Sequence, residues 1–256
     1  TAVYLFTGDF NNAGVFTNDT DGASVTVSGD FVNTGTVTTT GSTDDSLSVE
    51  ADWSNSGAIN WGTGTVTLTG VDNTITSGGV AFNNLTIPAG SVYTALDDIS
   101  VTGTLTVEGR LRINAGLTLG AAFVSAAGTI EFSGDSAQAI PVGAYHHLAI
   151  TNAANDVAVD GSISVNGTLQ INEGATLAGG SLSITVNGEW QNDGDFTGST
   201  STVILAGANT TIGGSATTTF HNLNLQSGAM IDIHVSDVPA DHVRIAGTWA
   251  NNGASF

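Results

Sequence analysis

Along most of this chain, apolar residues alternate with Thr, Ser or Asn at every second position, in short runs closed by Gly, Asn or Asp. That alternation places successive side chains on opposite faces of a strand. Val66 and Leu68 are therefore expected inside, with Thr65, Thr67 and Thr69 outside. The same reading puts Leu105 and Val107 inside, then Leu182, Ile184 and Val186, then Ile231, Ile233 and Val235. The Gly, Asn and Asp residues that end each run adopt the left-handed backbone angles that tight corners require. No segment carries a helical period.

A short phrase, Gly-x-aromatic-x-Asn-x-Gly, recurs along the chain. It reads Gly8-Asp-Phe-Asn-Asn-Ala-Gly14, Gly29-Asp-Phe-Val-Asn-Thr-Gly35, Gly188-Glu-Trp-Gln-Asn-Asp-Gly194 and Gly247-Thr-Trp-Ala-Asn-Asn-Gly253, and Ala51-Asp-Trp-Ser-Asn-Ser-Gly57 is a variant. Phe10, Phe31 and Trp53 stand 21 and 22 residues apart, the length of one solenoid coil. Two further phrases return in a fixed order. Gly64-Thr-Val-Thr-Leu-Thr-Gly70 matches Gly128-Thr-Ile-Glu-Phe-Ser-Gly134 and Ser201-Thr-Val-Ile-Leu-Ala-Gly207. Each is followed by an aromatic-led strand: Phe82-Asn-Asn-Leu-Thr-Ile87, Tyr145-His-His-Leu-Ala-Ile150 or Phe220-His-Asn-Leu-Asn-Leu225.

The pattern predicts an all-β fold, a single-stranded parallel β-helix (β-solenoid) of roughly twelve coils of ~20 residues. Residues 1–256 read as one continuous solenoid with sub-blocks near 1–63, 64–127, 128–200 and 201–256. Stacked coils would align the aromatic and Asn of each phrase as structural columns: Phe10 and Asn12, Phe31 and Asn33, Trp53 and Asn55, Trp190 and Asn192, Trp249 and Asn251. Each Asn amide can donate to and accept from its neighbour one coil away, or satisfy corner backbone groups.

Composition sharpens the picture. Only 10% of residues are charged, against roughly 25% in an ordinary soluble domain, so the exterior must be mostly Thr, Ser, Asn and Gly. There are 23 acids against three basic residues, Arg110, Arg112 and Arg244. A net charge of −20 disfavours nucleic acid and anionic lipid as partners. No run approaches the ~20 apolar residues of a membrane helix, so no membrane insertion is expected. The chain has no Cys and hence no disulfide. It begins at Thr1, and Gly253-Ala-Ser-Phe256 breaks off just after a recurring phrase, which predicts a longer chain or fibre.

Candidate chemistry is sparse. Asn18-Asp-Thr-Asp-Gly22 resembles the opening of a calcium loop, with Asp19 and Asp21 as candidate ligands, but the distal bidentate Glu is missing. Asp44-Asp45, Asp97-Asp98 and Asp193-Gly-Asp195 are weaker versions of the same idea, and Asp232, His234, Asp237, Asp241 and His242 form the densest polar cluster. His146 and His147 occupy positions held by Asn in the sister phrases, which points to a structural role. Glycan-acceptor sequons stand at Asn18, Asn84, Asn166 and Asn209. No paired-carboxylate or Ser/His/Asp constellation can be placed, so no catalytic residue and no cofactor is assigned.

The Gly-x-Trp-x-Asn-x-Gly coils, with Gly-Thr-Val-Thr-Leu-Thr-Gly and Phe-Asn-Asn-Leu-Thr-Ile, resemble large repetitive β-solenoid proteins of bacterial cell surfaces, the filamentous-haemagglutinin-like adhesins and stalks. The resemblance implies a non-enzymatic, extracellular or cell-surface protein: a stalk, an adhesin or a filament subunit. Its expected partners are further copies, end to end or side by side, and surface glycans. A carbohydrate-binding or polysaccharide-degrading β-helix module, or a calcium-dependent binding module, are the alternatives.

Overall fold

The computed structural model describes residues 2–18, 20–39, 45–120, 122–124, 127–233 and 243–255. Among them there are strands and turns but no helix, every strand pairing is parallel, and the strands wind into a β-solenoid of about 11 turns. Contacts divide the chain into two compact units, Thr1–Gly128 and Thr129–Phe256.

In the first unit most turns lay one strand on each of three faces, but the turn with Thr65–Leu68 and Asn73–Thr76 has no strand on the third. One face begins with Val3–Phe6, Ser24–Val27, Ser46–Val49 and Thr65–Leu68. The second carries Phe10–Asn12, Phe31–Asn33, Trp53–Asn55, Asn73–Thr76, Val92–Ala95 and Arg110–Ile113. The third begins with Val15–Asn18, Thr36–Thr39 and Ala58–Asn60. Register follows the alternation. Val25 and Val27 lie against Leu47 and Val49, which lie against Val66 and Leu68, all buried. The Thr and Ser residues between them face outward. Each such buried aliphatic side chain contributes about 1.5–3 kcal/mol against the entropy of ordering the chain.

Stacking turns at the ~4.8 Å spacing of paired strands leaves little room at corners. A Cβ on Gly35 would collide with the Gly14 carbonyl oxygen, and one on Gly57 with the Gly35 carbonyl oxygen. Gly8 and Gly14 of the first turn have nothing within 4 Å of such a Cβ. Here the phrase needs Gly because backbone lies directly over backbone.

The second unit also has three faces, but its phrases change face. Thr129–Phe132 and Thr202–Leu205 are copies of one phrase, yet they belong to different sheets. So do His147–Ile150 and Asn222–Leu225. Glu189–Asn192 lies between Thr168–Ile171 and Thr210–Gly213, whereas Trp249–Asn251 pairs with Asn222–Leu225 in another sheet. Trp249 and Asn251 therefore do not continue the column of Trp190 and Asn192. The two Trp residues are 59 residues apart, short of three coils of 21 or 22. Ile233, expected inside, is 43% exposed because its strand is the last of its sheet, and Trp249 is 48% exposed at a sheet edge of the same unit. Val235 lies outside the described residues.

Candidate functional site

Three side-chain ladders and a cavity converge on the first turns of the first unit. The interior ladder is aromatic. Phe10 stacks on Phe31 with ring centroids 5.2 Å apart, and Phe31 stacks on Trp53 at 4.2 Å, both pairs within 12° of parallel. Above Phe10 the column closes with rings set edge-on: Phe6 at 5.0 Å and Phe16 at 5.2 Å. Beyond Trp53 it turns aside to Phe82, tilted at 5.2 Å.

Beside it runs the Asn ladder. Asn12 Nδ2 donates to Asn33 Oδ1 at 2.8 Å, and Asn33 Nδ2 donates to Asn55 Oδ1 at 2.8 Å. The same amides also donate to the carbonyls of Thr36 and Ala58. Asn55 Nδ2 donates to the carbonyl of Ser77, where the Asn series ends. Asp97 takes over there, accepting from the N–H groups of Ser77 and Gly78, both at 2.7 Å.

A third ladder was not read from the sequence. Asp9 Oδ1 accepts from the N–H of Asp30, Asp30 Oδ1 from that of Asp52, and Asp52 Oδ1 from that of Thr74. The signal was present: Asp precedes the aromatic in each of the first three phrases. In the second unit Asp193 plays a similar part. Burial acts to raise its pKa, but hydrogen bonds from the Ser215 N–H and hydroxyl and from the Gln191 amide outweigh it and hold the carboxyl below the usual range.

In the second unit Trp190 Nε1 and Asn192 Nδ2 both donate to the Thr218 hydroxyl, at 3.3 and 3.0 Å. Trp190 is fully buried against Phe196 and Phe220. Asn251 accepts instead from its own loop, from the N–H groups of Gly253 and Ala254.

Of the calcium candidates, Asp21 is exposed in a turn, and Asp19 lies outside the described residues, as do Asp44 and the His234–His242 part of the polar cluster. Among the described residues no three His, Asp or Glu side chains gather as metal ligands. His147 Nδ1 accepts from the N–H of Thr168, while Asn84 and Asn222 accept in the same way from Thr104 and Thr248. Imidazole and amide thus perform one task in the three sister phrases. Two sequons are committed to the fold: Asn18 is buried and bonded to Thr20, and Asn84 bonds both Thr63 and Thr104.

The cavity opens where the third face breaks. Ala58–Asn60 is the last strand of its sheet, and the next described pairing on that side is the bridge between Phe82 and Val101. Between them Gly78 and Gly79 turn with φ of 64° and 76°. The space left is about 130 Å³, walled by Trp53, Trp61, Phe82, Ile59, Val66 and Val80, with Asn60, Ser77, Asn83 and Thr102 among its polar neighbours. Trp53 and Trp61 are buried, and neither indole N–H has a hydrogen-bond partner. An unmet buried donor costs about 1–3 kcal/mol. Trp61 and Phe82 lie outside the Gly-x-aromatic-x-Asn-x-Gly phrase, and sequence reasoning passed over this site.

Tyr93 is a further buried polar group missed in the sequence. Its hydroxyl accepts from the Gly70 N–H at 3.0 Å and donates to the Ala51 carbonyl at 2.9 Å, tying three successive turns. Burial, opposed by the Gly70 hydrogen bond and reinforced by the charges of Asp52 and Glu50, pushes its pKa up to about 12.

Among the described residues no helix is long and apolar enough to cross a membrane. No protein-family model, no curated protein and no solved structure matches this chain. Its stacked parallel turns have the architecture of a repetitive β-helix protein.

Proposed function

We propose that this chain is a structural protein of the cell exterior, a surface stalk or adhesin or a subunit of an extracellular filament, and not an enzyme. One observation supports the reading: a set of carboxylates serves to hold turn to turn. Asp9, Asp30, Asp52, Asp97 and Asp193 each cap a backbone N–H of a neighbouring turn. A scaffold needs such satisfied corners, because an unpaired buried N–H destabilises every turn stacked above it. The parallel ladder also offers a route to assembly. Parallel pairing of this kind can run from one copy to the next as it runs from turn to turn within one. A head-to-tail contact of this kind is heterologous and extends without closing.

Electron microscopy of the purified chain over a range of concentrations tests the proposal. Filaments that lengthen with concentration support it. Single particles at every concentration, combined with measurable turnover of a polysaccharide, would overturn it.

A further inference from the structure

We propose that Asn209 is the attachment site of an N-linked glycan, with Thr211 as the hydroxyl residue that a glycosyl transferase reads beside it. This goes beyond the scaffold reading and holds whether or not copies assemble.

The local fold turns this sequon outward. Asn209 sits in the turn between Thr202–Leu205 and Thr210–Gly213, and the sequon runs on into the second of these strands. Thr210, its middle residue, is fully buried, and its hydroxyl accepts from the Gly207 N–H at 3.1 Å, tying the turn from inside. Strand alternation then sends Thr211 outward, and Asn209 is exposed in the turn. Neither the Asn209 side-chain amide nor the Thr211 hydroxyl makes a hydrogen bond among the described residues, so neither is committed to the fold. Thr211 also lines an open polar depression of about 310 Å³, with Gln191, Asp193 and Ser215 among its neighbours, where Gly213 and Gly214 leave room for a first sugar.

The contrast with the other three sequons sharpens the argument. Asn18 is buried, and both ends of its amide are bonded to Thr20. Asn84 Nδ2, the atom that would carry the sugar, donates to the Thr63 carbonyl at 2.8 Å. Asn166 is exposed, but its Oδ1 accepts from Asn187 of the next turn at 2.8 Å. A glycan at Asn18 or Asn84 must break bonds of the fold, one at Asn166 must share its corner with Asn187, and one at Asn209 disturbs neither bond nor neighbour. Attachment forms a bond from Asn209 Nδ2 to C1 of the sugar and breaks the C1–O bond of an activated glycosyl pyrophosphate. One amide proton passes to the departing pyrophosphate.

The test is secretion of the whole chain, behind a cleavable leader, from cells that attach N-linked glycans, followed by glycopeptide mapping of the folded product. The expected result is a glycan at Asn209, none at Asn18 or Asn84, and lower occupancy at Asn166 than at Asn209. Thr211→Val keeps a β-branched side chain on the strand but removes the hydroxyl, and should abolish the glycan at Asn209. Thr211→Ser keeps the hydroxyl and should retain it. Made without glycan, both variants should melt at the temperature of the parent, so loss of the glycan cannot be mistaken for loss of fold. The proposal is overturned if Asn209 of the secreted chain is bare, if Thr211→Val leaves its glycan in place, or if Asn18 or Asn84 carries a glycan as often as Asn209.

Discussion

Asn33 donates to Asn55 across one full turn at 2.8 Å, while its own Oδ1 accepts from Asn12 at the same distance. Asn33 and Asn55 are both buried. The ladder thus solves the corner problem with one residue type: each amide is donor to the next turn and acceptor from the last. Replacing Asn33 with Ala should strand the Asn55 oxygen and lower stability by about 1–3 kcal/mol. Asn11→Ala, on the exposed side of the same face, should change it by less than about 0.5 kcal/mol. Urea unfolding midpoints of the two variants test the difference.

The glycines of the phrase are not equivalent. Gly35→Ala would drive its Cβ into the Gly14 carbonyl and should destabilise by about 1–3 kcal/mol, as overpacked sites do. Gly14→Ala has open space and should be close to neutral. Thermal melts of the pair would show a clear fall for the first variant and little change for the second.

Trp190 and Trp249 occupy the same place in the phrase and different places in the fold. Trp190→Ala removes a fully buried ring bonded to Thr218 and should cost about 3–5 kcal/mol. Trp249 is 48% exposed, and Trp249→Ala should cost roughly 1 kcal/mol. Equal losses would mean that the two copies share one column after all.

Tyr93 makes stability depend on alkaline pH. The folded chain keeps the phenol proton up to about 12, while the unfolded chain releases it near 10. The folded state then binds more protons than the unfolded state, so stability falls as pH rises through this window and is whole below pH 10. Tyr145, whose hydroxyl donates to the Pro141 carbonyl at 2.6 Å, is pushed up by burial and acts in the same direction. Tyr93→Phe should be less stable at neutral pH, because it loses the Gly70 and Ala51 hydrogen bonds, and should lose stability less steeply above pH 10. Unfolding midpoints measured across that window check both parts.

Much of the fold is legible in the sequence because strand alternation has a period of two and the phrase fixes the coil length. Val66 and Leu68 face inward as the pattern requires, and Phe10, Phe31 and Trp53 meet in register. The face that a phrase occupies is less legible. Every face asks for the same alternation, so an aromatic-Asn strand fits any of them, and only the chain length between copies selects one. The 59 residues from Trp190 to Trp249 held that information. The cavity was hidden for a different reason. It arises from a missing strand pairing, and its one local mark is the Gly78-Gly79 pair, both residues with positive φ where the third face breaks. Phe82 opens a recurring phrase but Trp61 belongs to none, so the repeats do not show that the two meet.

The central claim is that copies of the phrase stack in parallel register. Nuclear Overhauser contacts among the side chains of Phe10, Phe31, Trp53, Asn33 and Asn55 test it most directly. The account predicts ring contacts from Phe31 to both Phe10 and Trp53, and amide contacts from Asn33 to Asn55. Contacts that join Phe31 to an antiparallel neighbour, or a Trp53 ring with no contact to Phe31, would contradict it.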